Sequence, residues 1–146
     1  MPTEPEHIKQ AVHNMKATRY LLERPDFSDW AATVIFYTAL HIVEALFFRE
    51  AARLNRKHGH SHEEREQMLK GTGRYKNIYR HYRPLQSASV KARYLDGATF
   101  ASHMSAKQVQ DELIKGHLWK VIQTASRFLS DSSGKVLQKA FKQTFS

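Results

Sequence analysis

The chain has 146 residues and no cysteine, and its lysines and arginines outnumber its aspartates and glutamates by nine. That length suffices for a single domain, residues 1–146, that buries about two-thirds of its unfolded surface without disulfide or structural metal. The missing cysteines exclude a thiol nucleophile and a cysteine-ligated zinc site. The basic balance suits an anionic partner without naming one, since a merely soluble basic protein has the same arithmetic.

The acidic, polar start MPTEPEHIKQ has no basic head and no apolar core, so no secretory signal is expected and the cytoplasm is the expected location. Thr3 with Glu6 three residues on reads as a capping box. It opens a helix through Ile8, Val12, Met15 and Tyr20 to about Arg24, where Pro25 stops it. Ser28 is the expected cap of a long second helix running from about residue 29 to Arg56, roughly 40 Å at 1.5 Å per residue. Its first part, Trp30 to Phe48, carries almost no charge and nearly has the length of a membrane span. His41 and Glu44 inside it would cost a few kcal/mol in lipid. The amphipathic segments around it also need a core helix to pack on, so the reading is a bundle centre and no membrane.

His58, Gly59 and His60 break this helix, and Ser61 with Glu64 forms a second capping box for a short helix ending near Lys70, before Gly71 and Gly73. From Tyr75 an apolar stripe of Tyr75, Ile78, Tyr79, Tyr82 and Leu85 has helical spacing, with Lys76, Arg80 and Arg83 on the opposite side. Pro84 should kink or restart that helix, which continues to about Tyr94, and Asp96 with Gly97 marks a loop. Ser105 with Gln108 is a third capping box, opening a helix through Val109, Leu113, Leu118 and Ile122 to Leu129, in which Gly116 suggests close packing. Ser130 to Gly134 reads as a turn, and Val136, Leu137, Ala140, Phe141 and Phe145 as a short terminal helix. With no strand pattern or repeat, the fold class is all-α, an antiparallel helical bundle of about five to six helices.

Three groups of residues can carry chemistry. Tyr37, His41 and Glu44 share one face of the central helix. A histidine titrates near neutrality and a neighbouring carboxylate or phenol can fix its tautomer, although a satisfied core histidine has the same surroundings. The connector RLNRKHGHSHEER gathers Arg53, Arg56, Lys57 and Arg65 around the helix start at Ser61 and His62, where free backbone N–H groups favour a phosphate; a solvated hinge would look alike. The alternating His58, His60 and His62 have ligand chemistry for zinc, copper or nickel, but neither carboxylate nor cysteine stands beside them at metal-motif spacing, so no metal and no cofactor are assigned. In RYKNIYRHYR the helical phase turns most tyrosines toward packing and leaves Arg74, Lys76, Arg80 and Arg83 as a cationic patch for a nucleic-acid backbone. No glycine-rich phosphate loop, GxSxG or HExxH is present, which removes support for ATP hydrolysis, serine hydrolysis and zinc proteolysis.

Through FYTALHIVEALFF, SHEER and YRHYRPLQSASVKARY the chain resembles the HEPN superfamily of small all-α bundles over about residues 28 to 95. The resemblance rests on Tyr37 and His41, on Ser61, His62 and Arg65, and on Leu85, Ser89, Arg93 and Tyr94. It implies a homodimer, often with a nucleotidyltransferase partner, in a toxin–antitoxin, defence or RNA-processing system, and RNA or a nucleotide as ligand. Catalytic members are metal-independent ribonucleases with an Arg, four to six residues, then a His. Arg56 with His62 fits that spacing, as do Arg53 with His58 and Arg74 with His81. In an active member His62 or His58 would exchange a proton with the ribose hydroxyl while Arg56 or Arg53 steadied charge on the phosphate. Lys57, where the family pattern has a polar residue after its Arg, departs from the motif. A non-catalytic protein-interaction bundle is the remaining alternative.

Overall fold

The hydroxyl of Thr3 accepts the Glu6 amide and the Glu6 carboxylate accepts the Thr3 amide, closing the reciprocal cap that the spacing requires. Helix α1 (Glu4–Leu22) starts there. The computed structural model describes residues 2–51, 61–94 and 104–146. After α1 follow α2 (Ser28–Arg49), α3 (His62–Lys70), α4 (Lys76–Tyr94), α5 (residues 106–125) and α6 (Asp131–Phe145), with 3-10 turns at Pro25–Phe27 and Gly73–Tyr75. The described residues contain helices and no strand, so the fold is the all-α bundle the sequence pattern indicates.

Helix α2 is the centre and packs on α1, α4 and α5. Ile35, Phe36, Ala39, Ile42, Val43 and Leu46 on it are fully buried, and each large apolar side chain contributes about 1.5–3 kcal/mol. The span Pro25–Arg49 is long and apolar enough to cross a membrane, but 78% of its most apolar window is buried among the other helices, as in a core helix. Contacts of Glu4 with Arg49 and of His7 with His41 make α1 and α2 antiparallel. Phe47 on Tyr75 and Tyr37 with Arg93 do the same for α2 and α4. Glu4 meets Ser130 and Arg19 meets Thr144, so α1 and α6 run parallel. The short α3 only turns the chain between α2 and α4, which leaves α6 pointing the same way as α1.

Several boundaries differ from the sequence expectation. Ser28 is the first residue of α2 rather than its cap, because the Pro25–Phe27 turn runs straight into the helix. The expected continuation of α2 to Arg56 is met only as far as Arg49, with Glu50 at its C-cap; residues 52–60 lie outside the described residues. Pro84 neither ends nor restarts α4, which runs unbroken from Lys76 to Tyr94. Burial of Ile78, Tyr82, Leu85, Ala88 and Ala92 along one stripe offsets the backbone bond that proline cannot make. Ser130 is a cap, not a turn residue: its hydroxyl accepts the Ser133 amide and α6 begins at Asp131. Helix α5 consists of Ala106–Gln108, a π-helical stretch Val109–Leu118 and Trp119–Ala125. Gly116 there is exposed, and a Cβ would meet nothing closer than the Asp111 carbonyl at 3.4 Å, so it marks no close packing. Close approach occurs at Gly134, where a Cβ would lie 3.2 Å from that of Ser126.

Candidate functional site

Helical spacing puts Tyr37, His41 and Glu44 on one side of α2, and the Ser61 cap starts α3 so that His62 and Arg65 follow within its first turn. The two helices meet through a buried ion pair. Arg65 Nε donates to Glu44 Oε1 at 2.8 Å, with Arg65 5% and Glu44 2% exposed. From this anchor Arg65 Nη1 lies 3.1 Å from His62 Nδ1. A guanidinium has only donors, so Nδ1 must accept and the neutral imidazole carries its proton on Nε2. The His62 ring packs 5.7 Å from Phe36 and 6.3 Å from Tyr37, centroid to centroid.

Arg93 of α4 completes this face. Its Nη1 donates to the Tyr37 hydroxyl at 3.4 Å, and its guanidinium lies 5.9 Å from the Tyr37 ring and 5.4 Å from the Tyr94 ring. Its remaining hydrogen bond goes to its own helix, Nε to the Ser89 carbonyl. Among the described residues no carboxylate pairs with it. Partial burial lowers the His62 pKa, and the positive charges of Arg65 and Arg93 lower it further. For His41 burial is again the largest cause; the Glu44 charge opposes it and Arg65 adds to it. Both imidazoles are therefore neutral at pH 7. His41 Nδ1 faces His7 Nδ1 at 3.0 Å, which requires one ring to donate and the other to accept. The buried Tyr82 hydroxyl beside this cluster is pushed up to about 12 by desolvation.

Tyr37, His41 and Glu44 share a face but serve three different partners: Arg93, His7 and Arg65. Arg53, Arg56, Lys57 and His58 lie outside the described residues, and with them the pairs Arg56 with His62 and Arg53 with His58. Arg65, expected at an anion site, points inward to Glu44. Arg74 is bound through Nε and Nη2 to the two Glu50 oxygens at 3.1 and 2.9 Å and lies over Phe128. Lys76, Arg80 and Arg83 are exposed on α4, while Tyr75 and Tyr82 are fully buried and Tyr79 donates to Glu66 at 2.9 Å. The patch thus consists of cations without stacking tyrosines. Charge clustering does not single out Arg93, which enters the sequence reading only through the resemblance. Its signal was periodicity, since Tyr82, Leu85 and Ser89 precede it at helical spacing on the buried stripe that faces α2. A second histidine pair, His81 and His117 with Nδ1 atoms 3.1 Å apart, joins α4 to α5. Among the described residues no three metal-ligating side chains converge.

The family model for the HEPN domain matches residues 5–130. The chain belongs to the HEPN family. No curated protein and no solved structure gives a significant match. The HEPN match runs from α1 through the end of α5 and includes the whole Tyr37, His62 and Arg93 face; it stops at Ser130, the cap of α6.

Proposed function

We propose that this HEPN domain binds single-stranded RNA, with the phosphate held where His62, Tyr37 and Arg93 meet. One observation carries the reading: a half-buried guanidinium with no carboxylate partner among the described residues shares Tyr37 with a neutral imidazole whose Nδ1 is already occupied. Arg93 and the Nε2–H of His62 are then both donors, and a phosphodiester offers only acceptors. Glu44 acts at one remove. It holds Arg65, Arg65 fixes the His62 tautomer, and the fixed tautomer sets which nitrogen meets the ligand. Lys76, Arg80 and Arg83 extend the positive field along α4, which suits a backbone longer than one phosphate.

The ribonuclease is the second reading, and the same tautomer narrows it. With Nδ1 accepting from Arg65, the neutral His62 ring is a hydrogen-bond donor through Nε2 and neither gives nor takes a proton; general acid–base work would require Arg65 to release Nδ1 so that the ring can gain a second proton. Arg93, or Arg56 from the connector, would face the phosphate charge. A homodimer and a nucleotidyltransferase partner in a toxin–antitoxin, defence or RNA-processing setting belong to this proposal as well.

Wild type, His62→Ala and Arg93→Ala incubated with mixed single-stranded RNA in excess EDTA, read for both retention and cleavage, test it. Retention by wild type that both variants weaken supports the binding reading. Cleavage lost in both variants supports the nuclease. Equal retention by all three proteins without cleavage would sink both readings.

A further inference from the structure

Two turns before Tyr37 on α2, Asp29, Trp30 and Thr33 face Ala92 and Arg93 of α4 across a cavity of about 220 Å³. The cavity is smaller than the roughly 300–1,000 Å³ of sites for drug-sized ligands and suits a single planar ring system. It adjoins the proposed phosphate site directly, because Arg93 lines it and also reaches the Tyr37 hydroxyl.

Two side chains of this pocket are not fully used by the fold, although Asp29 also stands in the first turn of α2, where a carboxylate is favourable. Trp30 keeps 58% of its surface exposed at the edge, although an indole is among the most favourable side chains to bury. Asp29 contributes a carboxylate whose buried Oδ1 has no hydrogen-bond partner. The Thr33 hydroxyl, one turn on, is committed to the Asp29 carbonyl at 2.9 Å. Buried carboxylate oxygens ordinarily find a donor. Oδ1 is shielded from solvent as it stands, and a turn of the Asp29 side chain toward the cavity it lines presents both oxygens to a ligand.

We propose that the Asp29, Trp30 and Arg93 pocket receives an unpaired guanine base, stacked on Trp30 and read by Asp29, next to a phosphate on Arg93. The inference deepens the RNA-binding reading and rests on it. An indole face stacks on any base. The carboxylate supplies the selection. The Watson–Crick edge of guanine presents two adjacent donors, N1–H and the 2-amino group, which match two carboxylate oxygens. Adenine and cytosine place a ring-nitrogen acceptor beside their amino donor, and uracil flanks its single N–H with two carbonyls, so each of these sets a lone pair against the carboxylate.

The test titrates wild-type protein with fluorescein-labelled U-rich hexamers carrying one central guanosine, adenosine or inosine, read by anisotropy. Guanosine should bind roughly tenfold tighter than adenosine, the usual scale for a bidentate base contact, and inosine, which lacks the 2-amino group, should fall between them. Asp29→Asn should bring the guanosine hexamer down toward the adenosine one, and Trp30→Ala should weaken all three. Circular dichroism confirms that each variant is folded, and the inosine comparison needs no variant. Equal binding of the three hexamers to wild type, still dependent on Arg93, would overturn the guanine pocket and leave the RNA reading intact. Absence of binding by every hexamer would overturn both.

Discussion

Arg65 and Arg93 flank the same histidine and do opposite work. Arg65 is buried, bound to Glu44 at 2.8 Å and directed at His62 Nδ1, so its charge is used inside the fold. Arg93 is only partly buried, rests on the rings of Tyr37 and Tyr94, and has no carboxylate partner among the described residues. Charge alone does not distinguish them, since both are arginines near the ring they polarise. Commitment does: the paired cation holds α3 to α2, and the one without a carboxylate among the described residues is the cation proposed for the phosphate.

That contrast is sharpest in stability. Glu44→Ala should cost about 3–5 kcal/mol, because it strands a buried guanidinium, and should lower Tm by roughly 10 °C. Arg93→Ala should cost about 1 kcal/mol, the worth of a partly exposed cation–π contact. Thermal denaturation of both variants checks this, and equal losses would erase the distinction. In RNA affinity the order reverses, with Arg93→Ala weakening binding about tenfold as one charge-assisted contact is lost.

Acid provides a third comparison. His41, His62, His81 and His117 all have pKa values below the unfolded 6.5, burial being the first cause in each. Below that value the unfolded chain binds more protons than the folded one. The stabilising share is therefore complete above pH 6.5 and declines as pH falls toward the lowered folded values. Melting curves from pH 7.5 to 5.5 should show Tm dropping, and His41→Gln should flatten the drop more than His62→Gln, because His41 is the more buried of the two. The smallest effect belongs to Lys76→Ala, Arg80→Ala and Arg83→Ala together, which should change stability by under about 0.5 kcal/mol and RNA affinity mainly at low salt.

What was legible in the sequence was local. The Thr3 and Ser105 capping boxes, the Ser61 cap and the apolar run of α2 each depend on residues within one or two turns, and all are present. The Glu44 to Arg65 pair spans 21 positions and the Tyr37 to Arg93 contact 56, so neither follows from spacing; both depend on how α2, α3 and α4 pack. The same packing keeps α4 continuous through Pro84, where local chemistry predicts a break. Tyr37, His41 and Glu44 lie on one side of α2, as their spacing requires, but their partners come from α1, α3 and α4 and leave no trace in that spacing.

The salt dependence of single-stranded RNA affinity, measured for wild type and Arg93→Ala side by side, is the most direct test of the proposal that Arg93 holds an RNA phosphate. Loss of one phosphate contact should reduce the slope of log affinity against log salt by about 0.7, with Tm nearly unchanged. An unaltered slope and affinity in the folded variant would place the RNA elsewhere and contradict the account.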